Sequence, residues 1–444
     1  MGILALVLTV IILVLDIIYE LKNKKNEEKI FHPSIVFFSL WTFILMLSNL
    51  NFYGLYKPSS EAYFLIMLMI VFFAIGSFFI KVKVNAKENK LIKKFQKSKI
   101  YMSIKRNHNK IQKLKFVLFI LLIIIDIMLL LIDCNIVIKS YNSGIPMWKI
   151  RGWRMEAFET ADNPLLNRRS FLEESFRSII IVPFETILTP IAAFYFFNRK
   201  EKKKYVFVAA SIAILILSSI AGGGGRLGYI YYFGSYFLSY IYMIRNNKDI
   251  SEKKKKIYRR IIYVVFGLGI IAIILLTILR TKMSLFQQIY KYFALPPTLL
   301  SIWLPKIKNI NHTYGMVSLF GVHSYFFRVL KAINLEFLIP TIYNESFQHI
   351  LNVEKFVECG FGAANAFVTP IYYFYIDGGY PFVCIASLLF GMIVSYSYKK
   401  ICKNITLKNF VKYILITYGV FLTFIRIQTS IPSYIISFIF CLLI

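Results

Sequence analysis

Hydrophobic positions along this chain come in uninterrupted blocks rather than in the one-sided stripes of soluble amphipathic helices. A hydrocarbon core of about 30 Å is crossed by roughly 20 apolar helical residues. On that criterion eleven blocks qualify as spans: 2–19, 34–54, 61–80, 116–133, 178–197, 205–220, 228–244, 261–279, 378–398, 410–426 and 428–444. The pattern predicts an all-α, polytopic integral membrane protein, with 1–444 forming a single transmembrane domain. Three intervening segments are too long to be turns: 81–115, 134–177 and 280–377. The last, ahead of the ninth span, carries Tyr290, Tyr292, Phe293, Trp303, Tyr314, Phe320, Tyr325, Phe326 and Phe327 among helix-compatible stretches. Rings with polar tips suit an interface, so short interfacial helices are expected there.

Charge orients these spans. Of 444 residues 58% are hydrophobic, and 53 Lys and Arg against 22 Asp and Glu leave a formal charge of +31. Alternate loops (20–33, 81–115, 198–204, 245–260 and 399–412) hold 35 of the basic residues and seven of the acidic ones, +28 of the total. By the positive-inside rule these loops are cytoplasmic, 81–115 being the basic one, with the N-terminus outside and the C-terminus inside. No Lys or Arg precedes the first block and four follow it, so it is expected to be retained as a helix instead of cleaved. The distribution excludes a soluble enzyme and a disordered polycation, and makes membrane lipids rather than nucleic acid the partner of the basic loops. No CxxC or Cys/His metal spacing occurs, and the topology permits one disulfide on the oxidising side, between Cys134 and Cys359.

Candidate chemistry lies outside. Residues 221–228, Ala-Gly-Gly-Gly-Gly-Arg-Leu-Gly, fall at the external turn before the seventh span. No strand precedes them, so the formal GxGxxG match is not a dinucleotide fingerprint. The span begins here with its positive dipole end outward, and Arg226 adds a full charge where the dipole disfavours one. An anion approaching the side-chain-free glycines resolves that conflict; a tight glycine hairpin with a snorkelling arginine is the alternative. Arginine makes up nine of the 18 remaining basic residues but five of the 35 cytoplasmic ones. Its planar fork suits bidentate phosphate binding. Arg151, Arg154, Arg280 and Arg426 belong to this external set. External acids and bases include His312, His323, Glu336, Glu345, His349, Glu354, Glu358 and Asp377, while Asp16, Asp126 and Glu185 lie inside spans. HExxH, Walker A, nucleophile-elbow and DxD patterns do not occur.

Several stretches resemble Wzy-type O-antigen polymerases, the oligosaccharide repeat-unit polymerases of bacterial surface polysaccharides. They are His-Pro-Ser (32–34) leading to Ser-Leu-Trp (39–41); Asn-Phe-Tyr-Gly-Leu (51–55) ahead of Ile-Gly-Ser (75–77); Ser-Gly-Ile-Pro (143–146); Gly-Gly-Arg (224–226); Asn-Ala-Phe-Val-Thr-Pro-Ile-Tyr-Tyr-Phe-Tyr-Ile-Asp-Gly-Gly (365–379); and Leu-Leu-Phe-Gly (388–391). Their order and the topology carry the resemblance more than any single motif. It implies a GT-C-like glycosyltransferase of the bacterial cytoplasmic (inner) membrane. Such an enzyme moves a growing glycan from undecaprenyl pyrophosphate onto an undecaprenyl-pyrophosphate-linked repeat unit at the outer face, in lipopolysaccharide or capsule synthesis. It also implies no cofactor, metal-independent chemistry and a separate chain-length regulator as partner. Arg226 matches the Gly-Gly-Arg together with Gly224 and Gly225, and Arg280 is placed by location. Asn365 and Asp377 match the segment before the ninth span, with Asp377 as base or ligand positioner. His323 is a base by chemistry. Arg151, Arg154 and Arg426 complete the substrate-binding set. A lipid-linked oligosaccharide flippase or exporter, and an O-antigen ligase-like transferase, are the alternatives.

Overall fold

The computed structural model describes residues 1–22, 32–83, 99–145, 150, 170–197, 204–222, 225–245, 250–280, 284–360 and 362–442. The protein is an all-α membrane protein: among the described residues eight helices are long and apolar enough to cross a bilayer. The helices are α1 Gly2–Lys22, α2 Pro33–Leu50, α3 Ser60–Lys83, α4 Lys99–Asn142, α5 Phe171–Phe176, α6 Val182–Phe197, α7 Lys204–Ala221, α8 Leu227–Tyr240, α9 Glu252–Arg280, α10 Leu285–Ile307, α11 Phe320–Ala332, α12 Thr341–Val353, α13 Thr369–Lys403, α14 Leu407–Phe421 and α15 Pro432–Phe440. A π-helical turn, Arg177–Ile181, joins α5 to α6. The other three apolar blocks coincide with α8, continued by a π-helical turn Ile241–Arg245, with α14 and with α15, of 14, 15 and nine residues. Each is shorter than the roughly 20 residues a perpendicular crossing takes.

Local chemistry sets the helix ends. His32 caps α2 by accepting the Ser34 amide on Nδ1 (3.1 Å), and Pro33 supplies the first-turn φ. Ser284 and Gln287 form a reciprocal capping box that starts α10. The described part of the basic loop is itself helical, since α4 begins at Lys99.

Two packed groups form the body. Helices α1, α2, α3, α10 and α13 share a core containing Phe37, Phe38, Trp41, Phe73, Tyr290 and Tyr372, while α4, α6, α7, α14 and α15 share one containing Phe119, Phe184, Ile187, Phe207, Leu415 and Tyr434. The Trp41 indole joins them, donating to Thr423 Oγ1 (3.2 Å) just past α14. Helices α3 and α13 approach at backbone distance: a Cβ at Gly76 would lie 2.0 Å from the Leu388 carbonyl oxygen, and one at Gly391 2.2 Å from that of Phe73. Small residues permit such crossings in membranes, where close packing replaces hydrophobic drive.

Two charges assigned to the loops by sequence are instead committed inside the fold. Lys81 Nζ pairs with Asp16 (2.5 Å) and Glu20 (2.9 Å), and Ser34 Oγ donates to the other Asp16 oxygen (2.5 Å). This pins together the C-terminal ends of α1 and α3 and the N-terminal end of α2. Arg177 is held by Asp133 (2.9 Å) and Glu173 (2.9 Å). The Cys134 thiol donates to the Leu217 carbonyl (3.3 Å) and that of Cys359 to the Gly362 carbonyl (2.7 Å), so the disulfide that topology permits is not made.

Within 280–377, α11 and α12 are short, 13 residues each, whereas α10 is not. Helix α10 runs for 23 residues and lies along the 51–59 segment: the Tyr290 hydroxyl accepts the Phe52 amide (2.8 Å), Thr298 Oγ1 donates to the Tyr56 carbonyl (2.9 Å) and Ser301 Oγ accepts the Ser59 amide (2.9 Å). Residues Thr369–Asp377, expected outside the ninth span, form the buried first turns of α13. Pro370 starts that helix, and Ile371–Ile376 is apolar or aromatic on every side, which suits complete enclosure.

Candidate functional site

Arg226 stands at the N-cap of α8 and no side chain caps that end. Its guanidinium turns away from the helix: Nη1 donates to Thr277 Oγ1 (2.7 Å) and Gln288 Oε1 (3.0 Å), and Nη2 to the Tyr292 hydroxyl oxygen (2.6 Å). The guanidinium carbon also lies 5.0 Å from the Tyr292 ring centre. Thr277 is fixed in turn by donating to the Ile273 carbonyl (2.6 Å). These partners come from α9 and α10, so one side chain links three helices. All of them are neutral oxygens. A guanidinium has five N–H donors, and two remain beyond these three bonds. A full charge at the positive end of a helix dipole, held by uncharged groups, is an arrangement an anion completes.

The rest of the region is connected to Arg226 through aromatic rings. Tyr292 meets Phe367 edge-on (5.4 Å), and Phe367 lies 5.8 Å from Phe424. Two residues before Phe367, the Asn365 amide donates to the Glu354 carbonyl (2.7 Å), and two residues after Phe424, Arg426 Nη2 pairs with Glu354 Oε1 (2.6 Å). Unlike Arg226, Arg426 is thus compensated by a carboxylate. Ala366 and Thr369 both adopt φ of +65°. That conformation is strained for a residue with a Cβ, most of all a β-branched one, and its persistence shows how firmly Asn365–Thr369 is held. The Ala366 amide bonds the Val353 carbonyl (2.9 Å) and the Thr369 amide the Ile425 carbonyl (3.0 Å).

Asp377 is fully buried, immediately before a break in α13 at Gly378 and Gly379, the latter at φ +62°. Its carboxylate accepts from Thr313 Oγ1 (2.5 Å) and the amides of Val317 (3.0 Å) and Ser318 (2.9 Å). The carbonyls of Ile376 and Asp377 take the Thr313 (3.2 Å) and Tyr314 (3.0 Å) amides. The 313–318 turn is therefore wound onto Asp377. This geometry makes Asp377 the anchor of the 313–318 turn and occupies both of its carboxylate oxygens.

His323 hangs from the same turn, its Nε2 bonded to the Met316 carbonyl (2.9 Å), which makes Nε2 the protonated nitrogen. Nδ1 is buried without a hydrogen-bond partner, and burial lowers the imidazole's pKa. The neutral form is therefore favoured in the fold. Stability from this group is complete above an unfolded pKa of about 6.5 and is lost as pH falls through the lower folded value. His323→Gln keeps a donor for Met316 and removes the titration. It is expected to reduce the fall of the unfolding midpoint as pH drops below about 6.5. Equal pH slopes in the two proteins would remove His323 from that transition.

Arg151, Arg154 and Gly224 lie outside the described residues, as does the side chain of Arg280, whose backbone ends α9. The Gly225 carbonyl accepts from Ser219 Oγ (3.4 Å). Sequence reasoning missed Thr277 and Gln288, the polar residues that seat Arg226, although each interrupts an apolar flank. The chain matches no known protein-family model, no curated protein and no solved structure.

Proposed function

We propose that this chain is a GT-C-like, metal-independent glycan polymerase of the bacterial cytoplasmic membrane, using undecaprenyl-pyrophosphate-linked oligosaccharide at the outer face. The observation that carries this reading is the Arg226 guanidinium, which pairs with no carboxylate among the described residues and is held by neutral oxygens beside a helix N-terminus. In the reaction an acceptor hydroxyl attacks the donor's anomeric carbon while the bond from that carbon to the pyrophosphate oxygen breaks. The hydroxyl proton leaves to solvent or to a phosphate oxygen, and negative charge collects on the departing pyrophosphate. Arg226 and the first amides of α8 meet that charge, the kind of fixed donor set that lowers a transition state most. Tyr292, whose oxygen accepts from Arg226, keeps its phenolic hydrogen for a second phosphate or sugar oxygen. The half-buried Tyr292 and Phe367 rings, backed by the buried Phe424, offer apolar surface to a sugar. Asn365, Arg426 and Asp377 hold the surrounding segments in register.

Removal of the protein from its native cell tests this. Surface glycan is expected to collapse from long chains to single repeat units, still exposed outside. Persistence of long chains overturns the reading. Repeat units trapped on the cytoplasmic face also overturn it, in favour of a flippase.

A further inference from the structure

A groove of about 460 Å³ opens at the cytoplasmic end of the fold, far from Arg226, between the second half of α13, the start of α14, the end of α3 and α15. Its composition changes along its length. Lys400, Lys412 and Asn409 line the cytoplasmic end together with Tyr396; Ile393 and Phe438 line the part nearer the bilayer centre. Leu389, its deepest α13 residue, lies eleven positions before Lys400, about 16 Å at the helical rise. Ile393 and Tyr396 are 54% and 60% exposed, so the groove faces lipid sideways.

The lysines differ from their neighbours in what they touch. Lys81 is consumed by Asp16 and Glu20, and Lys399 donates to the Ile80 carbonyl. Neither Lys400 nor Lys412 pairs with a carboxylate among the described residues. A second cavity, between α1 and α3, is lined by Leu8, Ile12, Val71, Ala74, Ile75, Phe78 and Phe79 and presents no headgroup contact. Two uncompensated cations at the headgroup level above an apolar trough match one kind of ligand in both charge and depth.

We propose that this groove is a seat for one anionic glycerophospholipid of the cytoplasmic leaflet. Its phosphate lies between Lys400 and Lys412, with Tyr396 donating to a headgroup oxygen, and one acyl chain runs over Ile393 and Phe438. This site is independent of the outer-face chemistry.

The test uses the purified full chain, stripped of lipid in neutral detergent and titrated with phosphatidylglycerol or phosphatidylcholine. Unfolding midpoint and retained lipid, the latter by native mass spectrometry, are read in parallel. Wild type is expected to be stabilised by phosphatidylglycerol and not by phosphatidylcholine. The Lys400→Gln/Lys412→Gln protein is expected to bind phosphatidylglycerol about 30-fold more weakly, from two charges near the membrane surface. Lys400→Arg/Lys412→Arg is expected to keep the preference. Equal response of wild type to both lipids, or an undiminished preference in the glutamine variant, overturns the proposal.

Discussion

Arg226→Ala is expected to lower the proposed glycan polymerisation by about 10²–10³-fold, the usual cost of deleting one preorganised donor to a developing anion. The fold should survive, because Thr277 keeps its bond to the Ile273 carbonyl and the partners left behind are oxygens at a helix junction. A loss of about 1–2 kcal/mol covers the hydrogen bonds removed. Arg226→Lys separates charge from geometry: an ammonium restores the charge but cannot span Thr277, Gln288 and Tyr292 while presenting a planar edge. Its activity should fall between alanine and wild type. Both variants are read by glycan length in cells and by transfer between purified lipid-linked oligosaccharides. Chains of wild-type length in Arg226→Ala would mean that the guanidinium only staples α8 to α9 and α10.

The same residue marks how far a one-dimensional reading reaches. The helix start beside Arg226 and the resulting charge conflict are legible in the sequence, because dipole and charge are local properties. The oxygens that hold the guanidinium come from 51, 62 and 66 residues away, and no local pattern specifies such contacts. The apolar blocks gave the helices, yet block length does not say whether a face meets lipid or protein. Ile371–Ile376 was assigned to an external segment and is buried, because an all-round apolar run fits a protein interior as well as a bilayer. Aromatic rings with polar tips point to an interface, and they do not set helix length: α10 runs for 23 residues through Pro296, Pro297 and Pro305. Arginine enrichment in the less basic set of loops is visible by counting; that Arg177 and Arg426 pair with carboxylates and Arg226, among the described residues, with neutral oxygens needs the fold.

Asp377 supplies the second large effect, and it distinguishes a proton acceptor from a scaffold. Asp377→Ala leaves the Thr313 hydroxyl and the Val317 and Ser318 amides without their acceptor in a fully buried place. Orphaned buried donors cost about 1–3 kcal/mol each, so the expected loss is roughly 3–5 kcal/mol, together with early proteolysis near 313–318 and loss of the Met316 anchor for His323. Asp377→Asn retains one acceptor oxygen and turns an NH₂ toward a donor, with an expected loss of about 2–3 kcal/mol. The two roles then diverge. A scaffold predicts that Asp377→Asn, assayed well below its lowered unfolding midpoint, still extends glycans within about tenfold of wild type. A general base predicts at least about 10²-fold loss of turnover in a protein that remains folded. Because both carboxylate oxygens are occupied by the turn that Asp377 holds, the first outcome is expected. The second would require those bonds to open during each catalytic cycle, exposing the carboxylate to the acceptor hydroxyl.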